Sequence, residues 1–141
     1  MWILATLALA HAEPTALTMP TPQTCVQGLF AHDPEFAVYE GLSFGQIRDS
    51  LDDFQDELLR CVSASQGVRG TVEMQINVGC DGVIDEITVI DSSGLQDSTV
   101  SCVTDTLSYT PFPAHDTPEG VVFLYPMTLD VPPGAQLAAR P

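Results

Sequence analysis

Apolar and polar residues alternate most regularly on the two sides of a turn in the middle of the chain, over residues 70–94. In the first run the apolar positions are Val72, Met74, Ile76 and Val78. This period of two is typical of a strand with one buried face. Residues 79–82 have two glycines and an aspartate, which tolerate the positive φ of a tight hairpin. The second run, residues 83–91, is rich in β-branched residues, so we expect a half-buried second strand beside the first.

A period of three to four residues predicts two helices. The first begins after Ser43, because Gln46 three residues later completes a capping box. Its apolar stripe contains Phe44, Ile47, Leu51, Phe54, Leu58 and Cys61. The second helix is shorter and runs to about Leu107, with Asp97 or Ser98 as a suitable N-cap residue. We expect the apolar sides of both helices to cover the buried face of the hairpin.

The last regular run, residues 121–130, predicts a third strand. Its residues on one face are Val121, Phe123, Tyr125, Met127 and Leu129. Pro126 lies inside this run and lacks an N–H, which favours a sheet edge. The crossover from the second strand must pass over the first, which gives the sheet order second, first, third. The sequence therefore predicts an α+β fold with the order helix-strand-strand-helix-strand, a three-stranded antiparallel sheet and two helices on one face.

The two ends of the chain are predicted to lie outside the folded domain. Residues 1–12 are predicted to be a signal peptide, since residues 2–10 are apolar and Ala10-His11-Ala12 fits a cleavage site. The apolar run is too short to span a bilayer, so we expect no membrane insertion of the mature chain. Residues 13–42 are predicted to be an extended lead-in, residues 43–131 the domain, and residues 132–141 a flexible tail. The expected location is periplasmic or secreted.

Charge narrows the range of partners. Four arginines and no lysine stand against 19 acidic residues, which gives a net charge of −15. Such a chain repels phosphate backbones, so nucleic acid is excluded as a partner and an anionic membrane surface is disfavoured. A peptide partner is expected to be basic. The alternative is that the acidity serves solubility alone.

Cys25, Cys61, Cys80 and Cys102 allow three disulfide pairings. Disulfides suit an exported protein, because they persist in oxidising compartments. If both helices pack on one sheet face, Cys61 and Cys102 can meet, which leaves Cys25 to link the lead-in to Cys80 in the hairpin turn. The alternative, a redox thiol, would be favoured by a Cys-x-x-Cys pair, and the sequence has none.

Several short motifs follow one another in a recognisable order: Cys61, Gly70-Thr71-Val72, Asp81-Gly82-Val83, Val89 with Ser92-Ser93, Cys102-Val103, Phe112-Pro113 and Tyr125-Pro126. Over residues 43–131 they resemble the AgmX/PglI C-terminal domain, a relative of the TonB C-terminal domain. The resemblance implies a TonB-like α/β fold, a place in the Gram-negative periplasm, and a binding role without catalysis or cofactors. Val62 departs from the family, which usually has Tyr after the first cysteine. The membrane anchor and long linker of TonB-like members are not expected here, so the resemblance does not imply energy transduction from the inner membrane.

The open edge of the third strand is the surface where we expect a partner to bind. Its residues are Val121, Val122, Phe123, Leu124, Tyr125 and Pro126. An open edge accepts an extended peptide by strand addition, which is also how TonB-like relatives are thought to hold their partners. The expected partner is an envelope or periplasmic protein or peptide. In the alternative interpretation, Pro126 and the prolines after the strand only protect the edge from aggregation.

The main alternative to a binding domain is a small metal-dependent or hydrolytic enzyme. Its residues would be His32, Asp33, His115 and Asp116, from two similar His-Asp pairs. Two such loops can hold a metal or perform acid-base chemistry if they meet. We expect no enzyme, because the sequence lacks a phosphate-binding glycine loop, a serine elbow and a His-Glu helix motif. A secreted, disulfide-stapled inhibitor or structural protein is a third interpretation.

We predict that export removes residues 1–12, because the small residues Ala10 and Ala12 flank the bond that a signal peptidase would recognise. The mature protein is then expected to begin at Glu13. N-terminal sequencing of the protein from the periplasm or the medium measures this. Recovery of the uncut chain from a cytosolic fraction would contradict it.

Overall fold

The computed structural model describes residues 16–29, 32–33, 35, 37–62 and 67–134. The predicted signal peptide, residues 1–12, and residues 135–141 of the predicted tail lie outside this part. The elements, in chain order, are α1 (Phe44–Asp53), α2 (Gln55–Leu59), β1 (Val68–Val78), β2 (Ile84–Ser93), α3 (Asp97–Leu107) and β3 (Val121–Val131). The strands form one antiparallel sheet in the order β2-β1-β3, which confirms the predicted fold class.

The centre of the sheet is β1. Its apolar face is almost completely buried and consists of Val72, Met74, Ile76 and Val78. On one side Val78 pairs with Ile84 of β2, and on the other it pairs with Val121 of β3. The period-two pattern read from the sequence is therefore the pattern of burial, because alternate side chains of a strand point to opposite faces.

Residues of α3 and the segment after it complete the core against β3. Val103 and Leu107 of α3 are fully buried, and so is Phe112. The ring centroids of Phe112 and Phe123 lie 6.0 Å apart, within the range of favourable aromatic pairs. The predicted apolar side of this helix is therefore correct, but its predicted cap is wrong. The N-cap residue is Gln96, whose side chain makes no capping hydrogen bond, and Asp97 is the first helical residue.

The first helix differs most from its prediction. Its start is as expected, with Ser43 and Gln46 forming both hydrogen bonds of a capping box. The prediction of a single helix as far as Cys61 is wrong, because the helix is interrupted at Phe54, between α1 and α2. The last turn of α1 contains Asp52 and Asp53 and no basic residue, and negative charge at a helix carboxyl end opposes the helix dipole.

Two predictions of which residues are buried are also wrong. Phe44 was expected on the buried stripe, yet 78% of it is exposed at the first position of α1. The prediction of a half-buried second strand is wrong, because only Ile84 of β2 is buried and Ile90 is 52% exposed. Val89 and Asp91 pair with Met74 and Glu73, which leaves Ile90 in a β-bulge without a partner on β1.

The hairpin turn between β1 and β2 is closed by backbone hydrogen bonds. The Gly79 N–H donates to the Val83 carbonyl at 2.8 Å, and the Gly82 N–H donates to the Gly79 carbonyl at 2.9 Å. Gly82 has φ +81°, and a Cβ there would collide with the Phe112 carbonyl oxygen. Phe112 also donates its N–H to the Gly82 carbonyl at 3.0 Å, so the segment after α3 packs directly on the turn.

The structure links the cysteines in the pairs expected from the sequence. Cys61 is bonded to Cys102 with Cα atoms 5.5 Å apart, and Cys25 is bonded to Cys80 with Cα atoms 5.1 Å apart. Both separations are ordinary for disulfides. The first bond joins the end of the α1–α2 segment to α3, and the second joins the lead-in to the hairpin turn.

We predict that replacing both Cys61 and Cys102 with alanine lowers the free energy of unfolding by about 4 kcal/mol, from the entropy of the loop that this disulfide closes. The two residues are 41 positions apart. Urea denaturation of the variant and the oxidised wild type measures the difference. Non-reducing peptide mapping is the control for the link itself. A Cys61–Cys80 peptide, or an unchanged denaturation midpoint, would contradict this prediction.

Candidate functional site

One side of β3 is left open by the sheet order. β1 pairs with β3 along its whole length, from Val78 opposite Val121 to Val68 opposite Val131. β3 is the last strand of the sheet, so among the described residues no strand covers its other side. Two apolar side chains on the outer face are well exposed, with Val122 at 56% and Leu124 at 58%. Exposed apolar residues on an open edge strand are typical of a pairing surface.

A groove of about 330 Å³ lies between α1 and β3. Its α1 wall consists of Phe44, Ile47, Arg48, Leu51 and Asp52, and its β3 wall of Phe123, Leu124, Tyr125 and Pro126. The capping box at Ser43 determines where α1 starts, and this start places Phe44 at the end of the groove. Four of the six predicted edge residues thus form one wall. The groove itself was not predicted from the sequence.

The groove has an acidic group beside an aromatic one. Burial raises the pKa of Tyr125, and the negative charge of Asp52 raises it further. Asp52 therefore lies close enough to Tyr125 for its charge to act on the hydroxyl. Arg48 is 3.5 Å from Asp49, but both side chains are largely exposed, so this pair contributes little stability. Within the described part of the chain, no ion pair engages Asp52.

The two His-Asp pairs do not form a common site. His32 and Asp33 are exposed, whereas His115 is 3% exposed. Nδ1 of His115 lies 3.3 Å from the Thr117 N–H that it accepts, so Nε2 carries the proton and donates to the Val78 carbonyl at 3.2 Å. Both ring nitrogens are therefore engaged. In residues 16–29, 32–33, 35, 37–62 and 67–134, no three His, Cys, Asp or Glu side chains converge as metal ligands.

His115 and Asp116 instead fasten the lead-in to the domain. The His115 carbonyl accepts the Val26 N–H at 3.1 Å, and the Asp116 carboxylate accepts the N–H groups of Glu40 and Gly41 at 2.8–3.1 Å. The hydrogen bonds from Gly41 and Glu40 hold the pKa of Asp116 below its ordinary value. The sequence motif that suggested catalysis thus holds an extended segment that has few hydrogen bonds of its own.

The lead-in is attached at its other end by the hairpin turn. Besides the Cys25–Cys80 bond, the Gln23 N–H donates to the Asp81 carbonyl at 3.0 Å. The Gln23 side-chain amide donates to the Phe112 carbonyl at 3.2 Å. Further along, Leu29 and Val38 form an isolated antiparallel bridge. The lead-in is therefore held along the domain by a disulfide and by backbone and side-chain hydrogen bonds.

Residues 62–127 match the family model of the Gram-negative bacterial TonB protein C-terminal. The matched segment contains β1, β2, α3 and β3 as far as Met127, together with Cys80 and Cys102. The lead-in, α1 and α2 lie outside it, as do Cys25 and Cys61. No curated protein and no solved structure matches the chain. In the described ranges, no helix is both long and apolar enough to cross a membrane.

We predict that Asp116→Ala destabilises the protein at neutral pH and exposes the amides of Glu40 and Gly41. The lowered pKa means that ionised Asp116 stabilises the fold above its ordinary pKa of 3.8. This stabilisation is lost as the pH falls through the lowered pKa. The variant and the wild type should therefore differ in melting temperature at about pH 7, and the difference should shrink as the pH falls below the ordinary pKa of 3.8.

Hydrogen exchange at Glu40 and Gly41 gives the local measurement for this variant. Asp33→Ala is the matched control, because its carboxylate accepts only the nearby Glu35 N–H in the described structure. It should leave exchange at residues 40 and 41 unchanged. A difference between Asp116→Ala and the wild type that persists undiminished at acid pH would contradict the assigned role.

Proposed function

We propose that this protein is an exported, non-catalytic interaction domain that binds an extended segment of an envelope or periplasmic protein by strand addition to β3. The observation that supports this most directly is the open side of β3 beside a groove. The TonB C-terminal family is generally a non-catalytic interaction domain of the Gram-negative periplasm. The two disulfides suit such an oxidising location.

Strand addition needs a long, regular and accessible edge. β3 is eleven residues long, from Val121 to Val131, and is paired with β1 over its whole length. A strand docked about 4.8 Å beyond it would extend the sheet to four strands. Main-chain hydrogen bonds would supply affinity, and the alternating side chains would supply specificity. Pro126 removes one N–H, but residues 121–125, at the start of the predicted edge, retain theirs.

Charge favours a basic partner. The net charge is −15, and the outer sheet face beside β3 includes Glu73, which lies opposite Pro126. Complementary charge raises the rate of association and disfavours acidic competitors. We also propose that the domain is of the narrower AgmX/PglI type. The family model that matches it is that of the broader TonB C-terminal family.

Two other interpretations are weaker on the geometry. A metal-dependent or hydrolytic enzyme would need the His-Asp pairs to converge, and His115 is already bonded through both ring nitrogens. Protection of the edge by Pro126 explains the proline, but it does not explain why Val122 and Leu124 remain exposed. Sheet edges that only avoid aggregation usually carry charged residues at such positions.

We predict that a synthetic ten-residue peptide with lysine at every second position and valine elsewhere shifts the amide resonances of residues 121–125. Its affinity should weaken as salt rises from about 0.05 to 0.5 M, because ions screen the attraction. A peptide of the same sequence with alternate backbone amides methylated should not bind, because it lacks the ladder donors.

A matched pair of variants locates the binding edge. Leu124→Lys on β3 should weaken binding of the lysine peptide about tenfold, a loss of about 1.4 kcal/mol. Ile90→Lys on β2 has a similar exposure and the same charge change, and should have little effect. Equal losses in both variants, or resonance changes confined to α1 and α2, would refute strand addition at β3.

A further inference from the structure

We propose that the groove between α1 and β3 is a specificity pocket. It receives a large apolar side chain of the bound strand and directs a lysine or arginine, two residues away on the same face, to Asp52. This inference rests on the proposed strand addition and goes further by defining the partner's sequence. In an extended strand, residues two apart project to the same face, so both side chains enter the groove together.

The helix runs beside the edge strand in the direction that this pocket requires. Three residues before the helix, a Cβ on Gly41 would lie 3.0 Å from a methyl group of Val121. Near the other end of the helix, Asp52 and Tyr125 line the same groove. The five residue steps from Ile47 to Asp52 rise about 7.5 Å along a helix, close to the roughly 7 Å that the two steps from Phe123 to Tyr125 span on a strand. The apolar end of α1 therefore faces the first part of β3, and Asp52 faces Tyr125.

The apolar end of the groove is incomplete in the chain alone. Phe44 is 78% exposed, although the half-buried Ile47 and Phe123 lie in the same groove. Among the described residues, nothing covers this aromatic ring. A large apolar side chain from a docked strand would remove Phe44 from water, and buried aromatic residues are enriched among the strongest contributors to binding.

The acidic end selects charge. Asp52 has no ion-pair partner in the part of the chain that the structure describes, and Arg48 in the same groove is paired with Asp49. A basic side chain entering beside Tyr125 would therefore find an unpaired carboxylate. A partner with an acidic residue at this position would instead be repelled. The groove thus selects both the apolar side chain of the partner and the charge of the side chain two residues away.

The two walls of the groove differ in their relation to the segment that matches the family model. The β3 wall lies within residues 62–127, the segment that matches the TonB C-terminal family model. The α1 wall, which includes Phe44 and Asp52, lies outside that segment. The proposed binding edge therefore lies within the matched segment, whereas the proposed pocket also needs α1, which precedes that segment.

Two synthetic threonine-rich peptides of equal composition test the pocket. Each contains one phenylalanine and one lysine, two residues apart in the first peptide and three apart in the second. Fluorescence anisotropy with the full chain should show the first binding about fivefold more tightly, as expected for one favourable exposed ion pair. Asp52→Asn should abolish this ratio. Asp53→Asn, an exposed neighbour outside the groove with the same charge change, should preserve it.

Phe44→Ala tests the apolar end and should weaken both peptides about tenfold, as for a moderate interface hot spot. Ile90→Ala, on the opposite edge of the sheet, is its control. Equal affinity of the two peptides, with amide resonance changes still at residues 121–125, would overturn the pocket alone. No binding of any peptide would overturn strand addition as well. A dimer of the chain that protects Phe44 would overturn the pocket by showing that a second copy fills it.

Discussion

Burial of one face of β1 is the constraint on which the rest of this structure depends. A hairpin alone is barely stable in water, so Val72, Met74, Ile76 and Val78 need cover from helices and a neighbour on each side. β2 and β3 meet the second need and become edge strands as a result. The open edge is thus a direct consequence of a core built around one central strand in a three-stranded sheet.

The same central strand explains how the lead-in is held. The turn after β1 carries Cys80, and the segment packed on that turn carries His115 and Asp116. An extended chain has no internal hydrogen bonds, so its N–H groups need partners elsewhere. The His115 carbonyl and the Asp116 carboxylate supply them for Val26, Glu40 and Gly41. His115 and Asp116, which the sequence suggested as catalytic residues, thus have a structural role at the end of the sheet.

Local pattern predicted most of the fold, because β1 and β3 have strict periods of two and Pro126 restricts its strand to an edge. Features that depend on competition between neighbours were missed. These are the break at Phe54, beside two acidic residues at the carboxyl end of α1, and the bulge at Ile90 in the largely exposed β2. Neither changes the apolar spacing from which the elements were read.

The candidate site was predicted only in part for a similar reason. The edge residues from Val121 to Pro126 could be named, since they lie on one predicted strand. The groove depends on how α1 lies beside β3, two elements that are far apart in the chain. No periodicity reports that placement. The outward position of Phe44 likewise follows from where the capping box starts the helix, and not from the spacing of its stripe.

The order of the strands also has a consequence for the folding rate. β2 can join β1 through a short turn, but β3 can join only after the long crossover that contains α3 has closed. Pairing between distant segments is slow, and until β3 arrives β1 has a bare edge that can aggregate. The bond between Cys61 and Cys102 shortens the path between the two partners. Oxidation before β3 docks would therefore speed the slowest closure and shorten the life of the vulnerable hairpin.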